Sequence, residues 1–164
     1  LHPIHNKLIS STTKEAMWVD SIVGRAFANH APVALMADAW TTAGAGTTNI
    51  LYEAAALAIV DEVSALNSDS LGATNGVYPN CSGLEARFYA EVVHAAFNQH
   101  LTPDKANEIV LKLFAKYQDG FVTPNFGSCF DQVYDVKTVM PKQAWLDMYK
   151  AVKEDVASMG LNFN

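Results

Sequence analysis

Asp38 sits where an apolar run meets a loop of small residues, which makes it the first candidate for chemistry. Val33-Ala34-Leu35-Met36-Ala37 leads into Asp38-Ala39-Trp40, and Thr41-Thr42-Ala43-Gly44-Ala45-Gly46-Thr47-Thr48 follows. A carboxylate that closes an apolar strand is costly unless it is paired or at work. Its charge suits a cationic amine better than an anionic substrate. The structural alternative carries equal weight: Asp38 caps the next turn or pairs with an arginine elsewhere.

Other groups carry weaker signals. The Gly44-Ala45-Gly46-Thr47-Thr48 loop ahead of a helix suits an anion at the helix N-terminus. It lacks the third glycine of a dinucleotide fingerprint and the Gly-Lys-Ser/Thr of a phosphate loop, so a plain tight turn is the stronger reading. His2 and His5 have a metal-compatible spacing but no third ligand nearby, so they read as surface histidines. Cys81 and Cys129 match no zinc or redox spacing and read as free thiols of a cytoplasmic protein. No serine nucleophile elbow or Cys/His dyad can be assigned.

The elements that must position these groups follow from periodicity and caps. Residues 32–66 form the organising stretch, a short buried strand at 33–39, a glycine turn, and a helix from 49 to 66. Ile50, Leu51, Ala54, Leu57, Ala58, Ile59, Val60, Val63 and Leu66 leave that helix apolar on almost every side, so neighbours must cover it. Residues 3–9 read as an earlier strand, and Thr12 with Glu15 as a capping box that opens a helix at 13–29. That helix buries Ala16, Val19, Ile22, Val23, Ala26 and Phe27. Strand, helix, strand, helix places the two strands parallel with a right-handed crossover. Ser10-Ser11 and Asp38-Trp40 then share one sheet edge.

Residues 67–80 read as a polar connection. Ser82 and Glu85 form a second capping box for a helix to about residue 99. Thr102 and Pro103 open another, closed by Asp119-Gly120. Residues 120–141 read as irregular and aromatic-rich, and Pro141 starts a last helix that Gly160 stops. Two strands cannot make a stable parallel sheet alone. The preferred solution is the C-terminal end of a larger α/β barrel; a mainly helical domain with a small sheet is the other.

Composition narrows the function. Half of the 164 residues are hydrophobic and 17% are charged, enough to fill a core and low enough to suggest that other surfaces cover part of this one. The net charge of −6 argues against nucleic acid or an anionic membrane as partner. The longest apolar run, 54–60, is too short to span a bilayer. The start, without methionine or a signal pattern, reads like a piece cut from something longer.

Tyr134-Asp135-Val136-Lys137-Thr138-Val139 with Pro141, Gly83-Leu84-Glu85-Ala86-Arg87 with Glu91-Val92, and Ala43-Gly44 with Leu51, Glu53 and Ala54 resemble segments of the monomethylamine methyltransferases. Met159-Gly160-Leu161-Asn162-Phe163 is similar to the end of that family, and Pro3, His5, Ser10, Thr13 and Glu15 fall at its spacing. The resemblance covers the whole chain, most strongly from Cys81 onward. It implies an α/β fold: the last strands of a TIM (β/α)8 barrel, with residues 1–66 as C-terminal βα units and 67–164 as a helical extension of the same domain. It implies transfer of a methyl group from a small methylated amine to the Co(I) corrinoid of a partner protein, with no cofactor bound directly. The family's pyrrolysine and an amine-contacting glutamate correspond to positions upstream of this chain. A family glutamine near the amine corresponds to Asp38, a tyrosine to Trp40, and two loop cysteines to Thr42 and Gly46. These departures point to a divergent relative in which Asp38 contacts the methylated nitrogen, with Trp40, Ser10 and Ser11 as its neighbours. An anion beside an indole suits a tertiary or quaternary amine such as a betaine. A cytoplasmic homo-oligomer is expected. The competing function is a non-catalytic helical module for interaction or oligomerisation.

Overall fold

The computed structural model describes residues 1–31, 33–72 and 74–163, with Ser70 described by its backbone alone. Pro32, which opens the organising stretch, lies outside the described residues.

Helix α1, Lys14–His30, starts one residue later than the Thr12–Glu15 box implies. Thr13 is the N-cap and accepts from the Ala16 N–H at 3.2 Å. Thr12 is engaged elsewhere, its hydroxyl donating to Glu53. The inner face of α1 is also rotated from the one its periodicity predicts: Ala16, Met17, Asp20 and Gly24 are buried, whereas Trp18 and Ile22 are 64% and 52% exposed. Gly24 explains the rotation, because a Cβ there would lie 2.5 Å from the Ser64 carbonyl oxygen. The helix approaches its neighbours through its smallest residue.

Residues 3–9 do not form the expected strand. They make a turn closed by His5 N–H to Ser10 C=O at 3.0 Å and Ile9 N–H to His5 C=O at 2.7 Å. The strand at 33–39 is shorter than expected: β1 is Met36–Ala39, and Val33 is exposed. Its parallel partner is β2, Asn67–Leu71, inside the stretch that reads as a polar connection. Met36, Ala37 and Ala39 register with Asn67, Ser68 and Leu71. Hydrogen bonds from Asn67 N to Leu35 O (2.8 Å) and Gly72 N to Ala39 O (2.7 Å) extend the ladder at both ends. The crossover between β1 and β2 is α2, Thr48–Val63, so this unit spans the division after residue 66.

Helix α2 is the centre of the molecule. Its Thr47 cap, then Ile50, Leu51 and every residue from Glu53 to Asp61, are placed as an enclosed helix requires; all but the cap are buried. Ala54, Ala55, Ala56 and Ala58 let neighbouring helices come close, and Leu51, Leu57 and Ile59 each supply about 1.5–3 kcal/mol of burial. Helices α1, α3 (Gly83–Asn98), α4 (Pro103–Tyr117) and α6 (Gln143–Ser158) pack around it.

The local caps match expectation. Ser82 and Glu85 form the capping box of α3, and Thr102 with Pro103 opens α4. The segment at 120–141 is more ordered than expected: a short helix α5, Phe130–Val133, leads into a hairpin of β3, Tyr134–Asp135, and β4, Met140–Pro141. Pro141 therefore ends a strand instead of starting α6, whose N-cap is Lys142. Gly160, at φ +117°, ends the helix as expected. The architecture among the described residues is a mixed one of helices, a parallel strand pair and a small antiparallel hairpin.

Candidate active-site edge

The C-terminal end of β1 carries Asp38 and passes into Trp40, and the segment Ser10–Thr13 lies beside it. Ser11 N–H donates to Trp40 C=O at 2.9 Å, and Trp40 N–H donates to Ser11 Oγ at 2.7 Å. Ser10 Oγ also donates to the Trp40 carbonyl, at 3.1 Å. Both serines are fully buried. Their hydroxyls therefore tie two backbone segments together at the strand end. The shared edge exists, but it is held by these side chain–backbone bonds and not by a ladder with residues 3–9.

Asp38 is half-buried, and both of its oxygens are engaged. Oδ1 is in direct contact with His2 Nδ1, and Oδ2 accepts from the Trp40 indole N–H at 3.0 Å. The imidazole meets the Trp40 ring edge-on, with centroids 4.7 Å apart. Gly72 and Gly76 back the indole closely: a Cβ at either would come within 2.4 Å of it. Spacing alone gives His2 no role beyond that of a surface histidine. The fold separates it from His5, whose Nδ1 accepts from the Leu8 N–H at 3.2 Å. Among the described residues there is no group of three or more His, Cys, Asp or Glu placed to hold a metal ion. Cys81 and Cys129 are free thiols.

The loop after β1 is organised by a carboxylate that motifs alone do not single out. Glu53, on α2, is fully buried; its Oε2 accepts from Thr12 Oγ1 and from Thr42 N–H, both at 2.6 Å. Its Oε1 accepts from Ala43 N–H at 2.9 Å. Thr12 Oγ1 lies 2.7 Å from Ser10 Oγ, and the Thr12 carbonyl accepts from Tyr117 Oη at 2.8 Å. One side chain thus couples α2, the loop and the Ser10–Thr13 segment. Burial raises the Glu53 carboxyl to about 7, against the opposing pull of these three donors. The available signal is a glutamate interrupting an apolar helix face, and Asp61 gives the same signal eight residues on.

Two more loop N–H groups are taken as well. Gly44 N–H donates to Asn125 C=O at 3.1 Å and Ala45 N–H to Asn80 C=O at 2.8 Å. With those of Thr42 and Ala43 held by Glu53, four successive N–H groups of the loop are engaged within the fold, which favours the tight turn over an anion cradle. A Cβ at Gly44 would sit 1.9 Å from the Phe126 carbonyl oxygen, which no rotamer can relieve. Gly44→Ala is expected to destabilise the chain by about 1–3 kcal/mol in urea unfolding, a range typical of overpacking. An unchanged midpoint would contradict this packing.

A second set of buried carboxyls lies behind the strand pair. Asp61 Oδ2 accepts from Tyr89 Oη at 2.5 Å, while Asp61 Oδ1 and Asp20 Oδ1 have no hydrogen-bond partner among the described residues. Burial, then the neighbouring Asp61 charge, pushes Asp20 up to about 8; burial pushes Asp61 up to about 7.

A parallel strand pair joined by a buried crossover helix, with a tight loop after the first strand and polar side chains at its end, makes this an α/β chain of the βαβ type. The family profile of monomethylamine methyltransferase MtmB matches residues 2–161, and the chain belongs to that family. It is 31% identical over 166 aligned positions to monomethylamine methyltransferase MtmB2 of Methanosarcina acetivorans and 28% identical to MtmB of Methanosarcina mazei, covering 98% of this chain in each case. The crystal structure of the Methanosarcina barkeri monomethylamine methyltransferase superposes with a TM-score of 0.90 at 26% identity, again over 98% of this chain. The crystal structure of a hydroxylamine complex of MtmB matches equally well. The chain spans about a third (35%) of the length of each of these relatives. No described helix is long and apolar enough to cross a membrane.

Proposed function

We propose that this chain forms part of a cytoplasmic methyltransferase that moves a methyl group from a methylated amine to the Co(I) corrinoid of a partner protein. The observation that carries this reading is the superposition of nearly the whole chain on a monomethylamine methyltransferase. In this reading β1 and β2 are neighbouring staves of a (β/α)8 barrel, and Asp38 stands at its catalytic, C-terminal face. In-line methyl transfer asks the protein to position the donor and to exclude water. The clamp of Glu53, Thr12 and Ser10 serves the first need by holding the strand end rigid. Asp38 contributes negative charge, which favours an ammonium over a neutral or anionic ligand.

The test is demethylation of mono-, di- and trimethylamine by the full-length protein with a Co(I) corrinoid carrier. Methylation of the carrier by at least one amine is expected. Asp38→Asn is expected to raise KM about tenfold, in line with loss of one negative charge from the site. Absence of transfer from every amine would favour the interaction-module reading instead.

A further inference from the structure

We propose that His2 is the group that meets the substrate nitrogen, accepting an N–H from an ammonium ion at Nε2, with Asp38 as its positioning residue. The proposal rests on the reading of the site as an amine site and deepens it. Three observations carry it. First, each Asp38 oxygen already has a partner within the fold: Oδ1 contacts His2 and Oδ2 accepts from the Trp40 indole. Second, the His2 ring is oriented from two sides, by the Asp38 carboxylate and by the edge of Trp40. Third, both His2 nitrogens are shielded from solvent, and whereas Nδ1 has the close Asp38 contact, Nε2 has no partner among the described residues.

The chemistry follows from the ring. A nitrogen against a carboxylate carries the proton, so Nδ1 is N–H and Nε2 offers a lone pair. A buried lone pair without a donor favours a ligand that brings one. An ammonium ion does so and is attracted by the Asp38 charge behind the ring. Proton transfer then breaks the ammonium N–H bond, forms Nε2–H, and leaves a neutral amine beside an imidazolium paired with Asp38. The same geometry discriminates: mono-, di- and trimethylammonium have an N–H to donate, whereas a quaternary ion has none. It therefore disfavours the betaine-type donor that an exposed anion–indole pair would suit, because the indole is backed by Gly72 and Gly76 and edged by His2.

The test is nitrogen-15 NMR of the histidine-labelled full-length protein, titrated with methylammonium, trimethylammonium and tetramethylammonium chlorides at constant ionic strength. In the free chain His2 is expected to show a bare Nε2 and a protonated Nδ1. Methylammonium and trimethylammonium are expected to move the Nε2 signal, and tetramethylammonium to leave it in place. The Trp40 indole N–H reports binding independently of the histidine label. Its response to methylammonium is expected to weaken at least tenfold in His2→Gln and to survive in His5→Gln. Asp38→Asn is expected to shift the tautomer balance at His2, which a purely structural aspartate would not do. A protonated Nε2 in the free chain, an equal response to tetramethylammonium, or an undiminished indole response in His2→Gln would overturn the proposal. These outcomes are separate from the corrinoid assay: binding without methyl transfer would retire the methyltransferase reading alone, and transfer without a His2 response would retire this one alone.

Discussion

Glu53→Ala is expected to destabilise the chain by about 3–5 kcal/mol, the largest loss from any single polar side chain here. The reason is what the substitution leaves behind. Thr42 N–H, Ala43 N–H and the Thr12 hydroxyl all donate to this carboxyl in a fully buried setting, and alanine strands all three above a cavity. Each unsatisfied buried donor costs about 1–3 kcal/mol, and relaxation of the loop recovers part of the sum. Glu53→Gln keeps one oxygen, so at least one N–H loses its acceptor, and a loss of about 1–3 kcal/mol is expected. Urea unfolding at pH 6 measures both. Amide exchange at Thr42 and Ala43 separates loop release from global loss: these two amides are expected to exchange faster than those of α2. A loss under 1 kcal/mol for alanine would mean that the loop holds itself.

Stability is expected to fall, not rise, between about pH 5 and pH 8. Asp20, Asp61 and Glu53 have carboxyls raised in the folded chain to about 8, 7 and 7, chiefly by burial. For a carboxyl raised on folding, the folded state holds a proton that the unfolded state has already released. Its stabilisation is complete below the unfolded pKa, near 4, and is lost as pH climbs through the folded value. Asp61→Asn removes that dependence at one site and keeps an oxygen to accept from Tyr89. At pH 9 it is expected to be more stable than the parent by on the order of 2–4 kcal/mol. That range follows from about 1.4 kcal/mol for every tenfold change in proton affinity on folding, discounted for relaxation. At pH 4.5 the difference is expected to shrink to less than about 1 kcal/mol. Asp20→Asn is expected to behave alike. Thermal unfolding across this range decides the matter, and a parent whose stability rises toward pH 8 would contradict it.

What was legible in the sequence was local. The N-cap at Thr102, the box of Ser82 and Glu85, and the stop at Gly160 depend on hydrogen bonds or φ values within three or four residues, so a short window contains their cause. Enclosure of α2 was legible too, because apolar residues on every face admit no solvated solution. Strand β2 was not legible: Asn-Ser-Asp-Ser-Leu has low strand propensity, and only β1 and the crossover helix bring it into register. The rotation of α1 was hidden for a related reason, since the close approach of Gly24 to Ser64 outweighs the apolar period.

The candidate site divides along the same line. Asp38 at the end of an apolar run, with Trp40 two positions on, was visible as a place for chemistry. That both its oxygens are taken, one by His2 across the strand end and one by Trp40, was not. By itself, the sequence determined that α2 must be enclosed, where α3 and α4 start, and the family to which the chain belongs. The tertiary structure alone decided which strand pairs with β1, which donors Glu53 gathers, and which nitrogen of His2 is left without a partner. Caps and burial follow from short-range hydrogen bonds and from hydrophobic content. Pairings between residues thirty or more positions apart depend on how long helices come to rest against one another, a property of the packed chain and of no segment within it.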